Sequence, residues 1–293
     1  MVAVAGDQAR AALRECRLCP RDCRVDRTLG PQGAFCRLGT EAWVYKELLS
    51  HGEEAALGGP TWLVDVGGCS LRCLFCSEWD HVVRPASGDA QLLDSAWFSG
   101  VHQRRKHQGA RTVSIVGGDP TPSAPAVLLA RAGIADALPL VWNCNGLVGD
   151  EAWDLLAPAV AVWSIDVKFG NAICAERLSG ARGFDSLGEV DKTVSRALAR
   201  PRSAGLPAVL LRHLLMPGHL DCCTRPVADR LRVLLAGVEP GAVVVNWMTA
   251  YVPPLDRRTR AAALPGWATH ADVSQGVAVG RARLAPWLVV DGR

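Results

Sequence analysis

The stretch that decides the fold is TWLVDVGGCSLRCLFC, residues 61–76, in which a short apolar run ends in two glycines and a set of cysteines. The run at 61–66 is rich in β-branched and aromatic residues, and this composition predicts a buried strand. Gly67 and Gly68 then let the backbone turn sharply out of that strand, because glycine adopts dihedral angles that other residues avoid. The cysteines that follow are Cys69, Cys73 and Cys76.

The spacing of these three cysteines is C-x3-C-x2-C. Three thiolates without a nearby fourth ligand can hold a [4Fe-4S] cluster and leave one of its irons open to an outside ligand. The alternatives are a zinc site with a distant fourth ligand and a set of unrelated buried thiols. A three-residue first gap is unusual for zinc knuckles, so the spacing favours the cluster.

Short apolar runs, bounded by glycine, proline or polar residues, recur along the chain between amphipathic stretches. Six of them predict strands, at residues 61–66, 112–117, 138–143, 160–166, 208–215 and 242–247. A helical pattern follows each run, and this alternation predicts an α/β fold with a parallel sheet and right-handed crossovers. We therefore expect a partial (β/α)6 barrel over residues 61–253, with a cysteine-rich accessory segment at 1–60 and a helical tail at 254–293.

Composition and charge exclude several classes of protein. The 293-residue chain carries a formal net charge of only +3, too small to indicate a nucleic-acid partner. It has no apolar stretch of about 18 residues and its first residues lack the pattern of a secretory signal, so we expect no membrane partner and a cytoplasmic location. In a reducing cytosol the 11 cysteines favour metal ligation over disulfides.

The first 60 residues contain a second set of cysteines, at Cys16, Cys19, Cys23 and Cys36. Four thiolates are a complete ligand set, so this segment can close an auxiliary [4Fe-4S] cluster. A structural zinc ion satisfies the same spacing, although we favour iron and sulfur. The remaining thiols have no ligand spacing and are predicted to pack as ordinary apolar side chains. They are Cys144, Cys174, Cys222 and Cys223.

Polar residues follow the other predicted strands, where the chemistry of a barrel gathers. The sequence GGDPTP at 117–122 follows the second strand. Asp166 and Lys168 are two residues apart on one strand and point the same way, with a surface ion pair as the alternative. Arg212 lies within an apolar run, where an idle guanidinium is costly to bury, and it can bind a carboxylate. His213 beside it is predicted to be structural.

Together these motifs resemble the radical SAM superfamily, whose fold is a partial (β/α)6 TIM-type barrel. The resemblance implies that a cluster on Cys69, Cys73 and Cys76 binds S-adenosylmethionine (SAM) at its open iron. An electron from an external donor of flavodoxin or ferredoxin type then cleaves SAM to a 5′-deoxyadenosyl radical, which abstracts hydrogen from a substrate. The SAM-binding residues that the resemblance implies are Phe75, Gly117, Gly118, Asp119, Asn143, Asn145, Asp166, Lys168 and Arg212. Asp119 replaces the glutamate that is usual in the family and is one methylene shorter.

Further motifs resemble the group named as pyruvate formate-lyase activating enzyme-like proteins. They are the N-terminal cysteines, HGEE at 51–54, RHLLMPGH at 212–219 and Asn-x-Met-x-x-Tyr at 246–251, where Ala250 stands in place of an expected glutamine. The main hypothesis is an enzyme acting on a small molecule, such as a nucleoside or sugar derivative of a natural-product pathway, with the auxiliary cluster as a sulfur donor. The alternatives are an activase that acts on a glycine of a glycyl-radical protein partner, and a non-catalytic iron-sulfur electron-transfer module.

Overall fold

A single mixed sheet organises the described part of the chain. We use a computed structural model that describes residues 2–51, 55–254, 264 and 266–292. Within these ranges the strands are β1 (Trp43–Ser50), β2 (Thr61–Val66), β3 (Gln91–Leu92), β4 (Thr112–Gly117), β5 (Leu140–Cys144), β6 (Val160–Asp166), β7 (Val209–Leu214), β8 (Val243–Met248) and β9 (Leu288–Val290).

The helices follow the strands in the order that the sequence predicts. They are α1 (Val2–Arg14), α2 (Trp79–Val83), α3 (Ser95–His107), α4 (Ala124–Arg131), α5 (Asp150–Leu156), α6 (Ala172–Ser179), α7 (Ser186–Leu198), α8 (Arg225–Leu234) and α9 (His270–Leu284). Short 3-10 turns lie at Arg27–Leu29, Ala55–Leu57 and Thr121–Ser123, and a π-helical turn lies at Leu220–Thr224. Within the described ranges, none of these helices combines the length and apolar character that crossing a bilayer requires.

The strand order is β3-β1-β2-β4-β5-β6-β7-β8-β9. Strands β2, β4, β5, β6, β7 and β8 pair in parallel with their neighbours in chain order, which is the arrangement of a partial (β/α)6 barrel. This confirms the predicted fold class. All six predicted strands are present, and β2, β4 and β6 have the predicted bounds.

Three further strands extend the sheet beyond the predicted six. Strand β1 pairs antiparallel with β2 and with the two-residue β3, whereas β9 pairs in parallel with β8. The predicted accessory segment and the predicted helical tail therefore each contribute a strand to the same sheet as the barrel. Strand β1 was not predicted because it carries charged residues at its centre. Strand β9 was not predicted because it spans only three residues.

Three fully buried tryptophans connect the strands to the surrounding helices. Trp62 packs on Phe98 of α3 with ring centroids 4.9 Å apart, and Trp163 stacks on Trp153 of α5 at 4.6 Å. The indole of Trp247 donates a hydrogen bond of 3.0 Å to the Gly276 carbonyl of α9. Aromatic side chains of this size dominate core energetics, so these contacts hold the strands, and hence their carboxyl ends, in fixed positions.

Candidate active site

The turn out of β2 depends on close backbone packing. Gly68 has a φ of +82°, and a Cβ atom there would lie 2.8 Å from the Cys36 carbonyl oxygen. A Cβ on Gly118, which follows β4, would lie 2.1 Å from the Gly68 carbonyl oxygen. That carbonyl also accepts a hydrogen bond of 2.9 Å from the Asp119 amide. Only glycine fits at both positions, so the loops after β2 and β4 lie in direct contact.

The loop after β2 brings the three predicted cysteines to one cavity, which has a volume of about 320 Å³. Cys69 and Cys73 are buried and Cys76 is half-buried. Burial raises the pKa of Cys73 to about 12, although nearby Lys168 partly opposes this shift. A thiol of this kind is protonated on its own near neutral pH and becomes a thiolate when a metal centre binds it.

The same cavity contains eight of the nine predicted SAM-binding residues. They are Phe75, Gly117, Gly118, Asn143, Asn145, Asp166, Lys168 and Arg212. These residues come from the cysteine loop and from the ends of β4, β5, β6 and β7, so five separate segments converge on one space. The structure adds side chains that were not predicted to line the site, although Met216 and Met248 lie within motifs noted in the sequence. The added side chains are Asp65, Glu78, Met216 and Met248.

Asp119 is the predicted residue that does not line the cavity. Its carboxylate is buried behind the cysteine loop, where it accepts hydrogen bonds from the Ser70 hydroxyl at 3.2 Å and the Asn145 amide at 3.3 Å. Burial raises the pKa of Asp119 to about 7, and the hydrogen bonds from Asn145 and Ser70 act in the opposite direction. The side chain thus links the loops after β2, β4 and β5 instead of facing the space where SAM was expected.

Three charged side chains form the wall of the cavity contributed by β6 and β7. Lys168 Nζ lies 2.5 Å from Asp166 Oδ2, and Arg212 Nε lies 3.4 Å from Asp166 Oδ1. Burial acts to raise the pKa of Asp166, but the two cations hold it below its ordinary value. The side chains are only 21% (Asp166), 23% (Lys168) and 15% (Arg212) exposed, so this is not the surface ion pair considered as an alternative.

His213 faces away from this wall. Its Nδ1 lies 2.7 Å from the Val167 carbonyl oxygen, which requires Nδ1 to carry the hydrogen. Its Nε2 therefore accepts from the Thr224 hydroxyl at 3.1 Å. Burial lowers the pKa of His213 to about 4. The histidine is neutral and fully hydrogen-bonded, as expected for a structural residue.

The N-terminal cysteines lie in a segment that packs on the cysteine loop. Arg21 donates to the Ser70 carbonyl oxygen at 2.8 Å and to the Gly180 carbonyl oxygen at 2.6 Å. Arg72 of the cysteine loop donates to the Cys69 carbonyl oxygen at 3.0 Å and, in the other direction, to the Phe35 carbonyl oxygen. Both guanidinium groups also stack on the Phe35 ring. Two arginines therefore join the segment that holds the second cysteine set to the loop that holds the first.

A buried cation accompanies the N-terminal set. Arg27 is only 2% exposed and donates to the carbonyl oxygens of Leu38 at 3.0 Å and Gly39 at 2.8 Å. Its Nη1 lies 3.6 Å from Cys16 Sγ. Burial raises the pKa of Cys36, and Arg27 opposes that shift. A fixed positive charge beside these thiols favours their ionised form, and with it metal binding.

The chain matches a known protein family. The family model described as the Radical SAM superfamily matches residues 63–231, which span β2 to α8. The chain belongs to the radical SAM superfamily. It is also 30% identical over 250 residues to the uncharacterized protein MJ0674 of Methanocaldococcus jannaschii, covering 84% of this chain and 68% of that protein.

The comparison with solved structures gives matches of low sequence identity, which include SuiB and TsrM. Streptococcus suis SuiB matches with a TM-score of 0.49 and 13% identity over 76% of this chain. The radical SAM methyltransferase TsrM from Kitasatospora setae, solved with cobalamin and a [4Fe-4S] cluster, matches with a TM-score of 0.45 and 18% identity over 64% of this chain. The chain spans 46% of the length of SuiB and 36% of the length of TsrM.

The cavity fits the cofactors that this superfamily implies, a [4Fe-4S] cluster and SAM. Three thiols line one side of the space and a charged wall lines another. Three thiols from one loop, with an open space beside them, suit a cluster that keeps one iron for an outside ligand. This chain is therefore a radical SAM enzyme.

Proposed function

We propose that this radical SAM enzyme cleaves SAM in the cavity at Cys69, Cys73 and Cys76 and acts on a small-molecule substrate. The observation that carries the proposal is the convergence of three thiols and three charged side chains on a single space of about 320 Å³. A [4Fe-4S] cluster bound there supplies the electron that cleaves SAM to a 5′-deoxyadenosyl radical.

The residues around the cavity are proposed to bind different parts of SAM. Asp166 is ionised between two cations, so the charged wall carries a net positive charge before a ligand binds. Such a wall attracts the SAM carboxylate, and Arg212 has the planar fork that binds a carboxylate through two hydrogen bonds. The Phe75 ring, next to Cys76, supplies an apolar face for the adenine.

The N-terminal segment supports a small substrate over a protein substrate. This segment contacts three separate loops on the cysteine side of the sheet, through Arg21 at Ser70 and Gly180 and through the Leu18 carbonyl oxygen, which accepts from the Gly149 amide at 2.9 Å. A segment packed across these loops leaves less room for a folded protein partner. The glycyl-radical activase hypothesis requires such a partner. A metabolite requires only the space of the cavity itself in order to bind.

The N-terminal cysteines support an auxiliary [4Fe-4S] cluster in this segment. All four are free thiols, and the buried Arg27 places a positive charge 3.6 Å from Cys16 Sγ. Four thiolates complete the ligand set of such a cluster. We therefore propose two clusters in one chain, in a reducing compartment that keeps the thiols free.

The test of the proposal is anaerobic reconstitution followed by reduction in the presence of SAM. We expect 5′-deoxyadenosine from the wild type and none from a C69A/C73A/C76A variant, with iron per chain falling by about four. The control is C144A, which removes a buried cysteine that lines the same cavity outside the three-cysteine motif, and we expect it to keep its iron. A triple variant that still forms 5′-deoxyadenosine would refute the assignment.

The substrate class is tested with a fractionated extract of the source cells. The extract is divided by ultrafiltration, and each fraction is added to the reduced enzyme with SAM. A small-molecule substrate predicts that the filtrate raises 5′-deoxyadenosine formation above the uncoupled rate. Stimulation by the retained macromolecules alone would instead support the protein-activating alternative.

A further inference from the structure

Four side chains outside the SAM cavity form a compact set of metal ligands. Cys174, His219, Cys222 and Cys223 place one ligand atom each within 4.8 Å of all the others. We propose that this set binds one zinc ion, separate from both predicted cluster sites. The proposal does not depend on SAM cleavage, because none of the four residues belongs to the cysteine sets discussed above.

The distances match a single tetrahedral ion. His219 Nδ1 lies 3.2 Å from Cys222 Sγ, 3.8 Å from Cys223 Sγ and 3.9 Å from Cys174 Sγ. With Zn–S bonds of about 2.3 Å and Zn–N bonds of about 2.0–2.1 Å, tetrahedral geometry places nitrogen and sulfur ligands about 3.6 Å apart. The observed distances lie on either side of this value. The ligands of an iron-sulfur cube attach to different irons and require a wider spread.

The local backbone brings three of the ligands together. His219 immediately precedes the π-helical turn Leu220–Thr224, and the Cys223 amide donates to the His219 carbonyl oxygen at 3.0 Å. This turn places residues three and four positions after His219 beside its imidazole. Single-turn π segments are rare and occur frequently at functional sites. The sequence H-x-x-C-C is therefore arranged as a three-ligand unit.

Asn171, which precedes α6, positions the fourth ligand, Cys174. Asn171 caps α6 by accepting from the Cys174 amide at 2.8 Å, and its Nδ2 donates to the Cys222 carbonyl oxygen at 2.7 Å. The same amide group lies 3.3 Å from Cys174 Sγ. A Cβ on Gly170 would lie 2.5 Å from the Cys223 carbonyl oxygen, so the two loops are in backbone contact. Outer contacts of this kind orient ligands before the metal arrives.

The chemistry of the four ligands selects zinc and a structural role. Three thiols and one imidazole make the Cys3His set of closed structural zinc sites, with no position left for water or substrate. Binding displaces the thiol protons and stabilises the folded chain. The ion would join the first turn of α6, which follows β6, to the π-helical turn that follows β7. These strands carry Asp166 and Arg212, so the zinc would fix the spacing of the charged wall.

Zinc content of the purified full-length chain tests the site. Protein from zinc-supplemented culture is dialysed against a chelator, and metals are counted per chain for the wild type, a C222A/C223A variant and a matched C19A/C23A variant. We expect C222A/C223A to lose about one zinc relative to the wild type and C19A/C23A to keep it. Equal zinc in the wild type and a folded C222A/C223A variant would overturn the proposal, and so would iron in place of zinc.

A second measurement needs no variant. The wild-type chain, stripped of metal under reducing conditions, is alkylated with iodoacetamide with and without added Zn²⁺, and the modified cysteines are identified by mass spectrometry. Zinc is expected to reduce labelling of Cys174, Cys222 and Cys223 by about tenfold or more. Unprotected Cys222 and Cys223 at saturating Zn²⁺ would refute the site. SAM cleavage plays no part in either readout, so failure here leaves the proposed function standing.

Discussion

Lys168 Nζ lies 2.5 Å from Asp166 Oδ2, and both side chains face the cavity that the three cysteines line. The pair is partly withdrawn from water, and burial makes an opposite charge worth more than it is on the surface. An ion pair in this position can bind the charged groups of SAM.

Replacing Lys168 by methionine should weaken SAM binding. The change removes one of the two cations beside Asp166 and leaves the length of the side chain almost unchanged, so the wall loses its net positive charge. We expect the Kd for SAM of the unreduced, cluster-loaded enzyme to rise roughly 10-fold or more, or about 1.4 kcal/mol. Equilibrium dialysis measures it. The control is K192M, whose side chain is 39% exposed and pairs with Asp150 on the surface. Equal Kd values for the two variants would contradict the assigned role.

Gly118→Ala should disrupt the cysteine loop. The new methyl group would lie 2.1 Å from the Gly68 carbonyl oxygen, and backbone on both sides prevents an easy shift. Overpacking of this kind costs about 1–3 kcal/mol, so we expect a lower free energy of unfolding and less iron after reconstitution. Gly100→Ala in α3 is the matched control, since a Cβ there meets nothing within 4 Å. That variant should be as stable as the wild type or more so.

Arg27→Leu should empty the N-terminal metal site selectively. The variant leaves the Leu38 and Gly39 carbonyl oxygens without a buried donor and removes the cation beside Cys16, at a cost of about 1–3 kcal/mol for each lost partner. We expect iron per reconstituted chain to fall from about eight to about four. The control is R24L, whose side chain is 58% exposed and pairs with Asp22. Full iron content in R27L would show that the cation does not support the site.

His213 should make the fold sensitive to acid. Its folded pKa of about 4 lies below the unfolded value of about 6.5, so the unfolded chain binds more protons between these two values. The contribution of His213 to stability therefore rises with pH in this window. It is complete above pH 6.5 and is lost as the pH falls toward 4, by about 3 kcal/mol. Asp119, whose folded pKa is about 7, acts in the opposite direction, so the contribution of His213 is obtained from the difference between the wild type and a variant.

Urea unfolding of the wild type and an H213Q variant between pH 4 and pH 7 measures this loss. The variant should be less stable than the wild type at pH 7, and this difference in unfolding free energy should shrink as the pH falls toward 4. The exposed His107 provides the control, H107Q. Parallel pH profiles for the wild type and H213Q would exclude the contribution of His213.

Local patterns were sufficient to predict the barrel and most of the cavity. Periodic apolar runs predicted six strands, and the rule that barrel chemistry lies at strand ends indicated where to look. The family resemblance then supplied the individual residues that line the space with Cys69. Asp119 was different because its environment, not its position after β4, decides where it points. Buried against Ser70 and Asn145, it links loops that are far apart in sequence.

The Cys174 site could not be predicted from spacing. Cys174 is separated from His219 by 45 positions, and only the pairing of β6 with β7 brings their loops together. The signal within H-x-x-C-C is weak because two adjacent cysteines rarely ligate one ion from a regular helix. The π-helical turn that makes it feasible depends on the tertiary packing against Gly170.

The two arginines that join the N-terminal segment to the cysteine loop have a consequence for survival in air. Arg72 binds backbone oxygens on both sides of this junction, and Gly68 packs against Cys36 at the same place. These contacts run through backbone atoms and not through a cysteine sulfur, so each segment should keep its shape when the other loses a bound metal. Air damage at one cysteine set should therefore leave the other set able to bind its own metal.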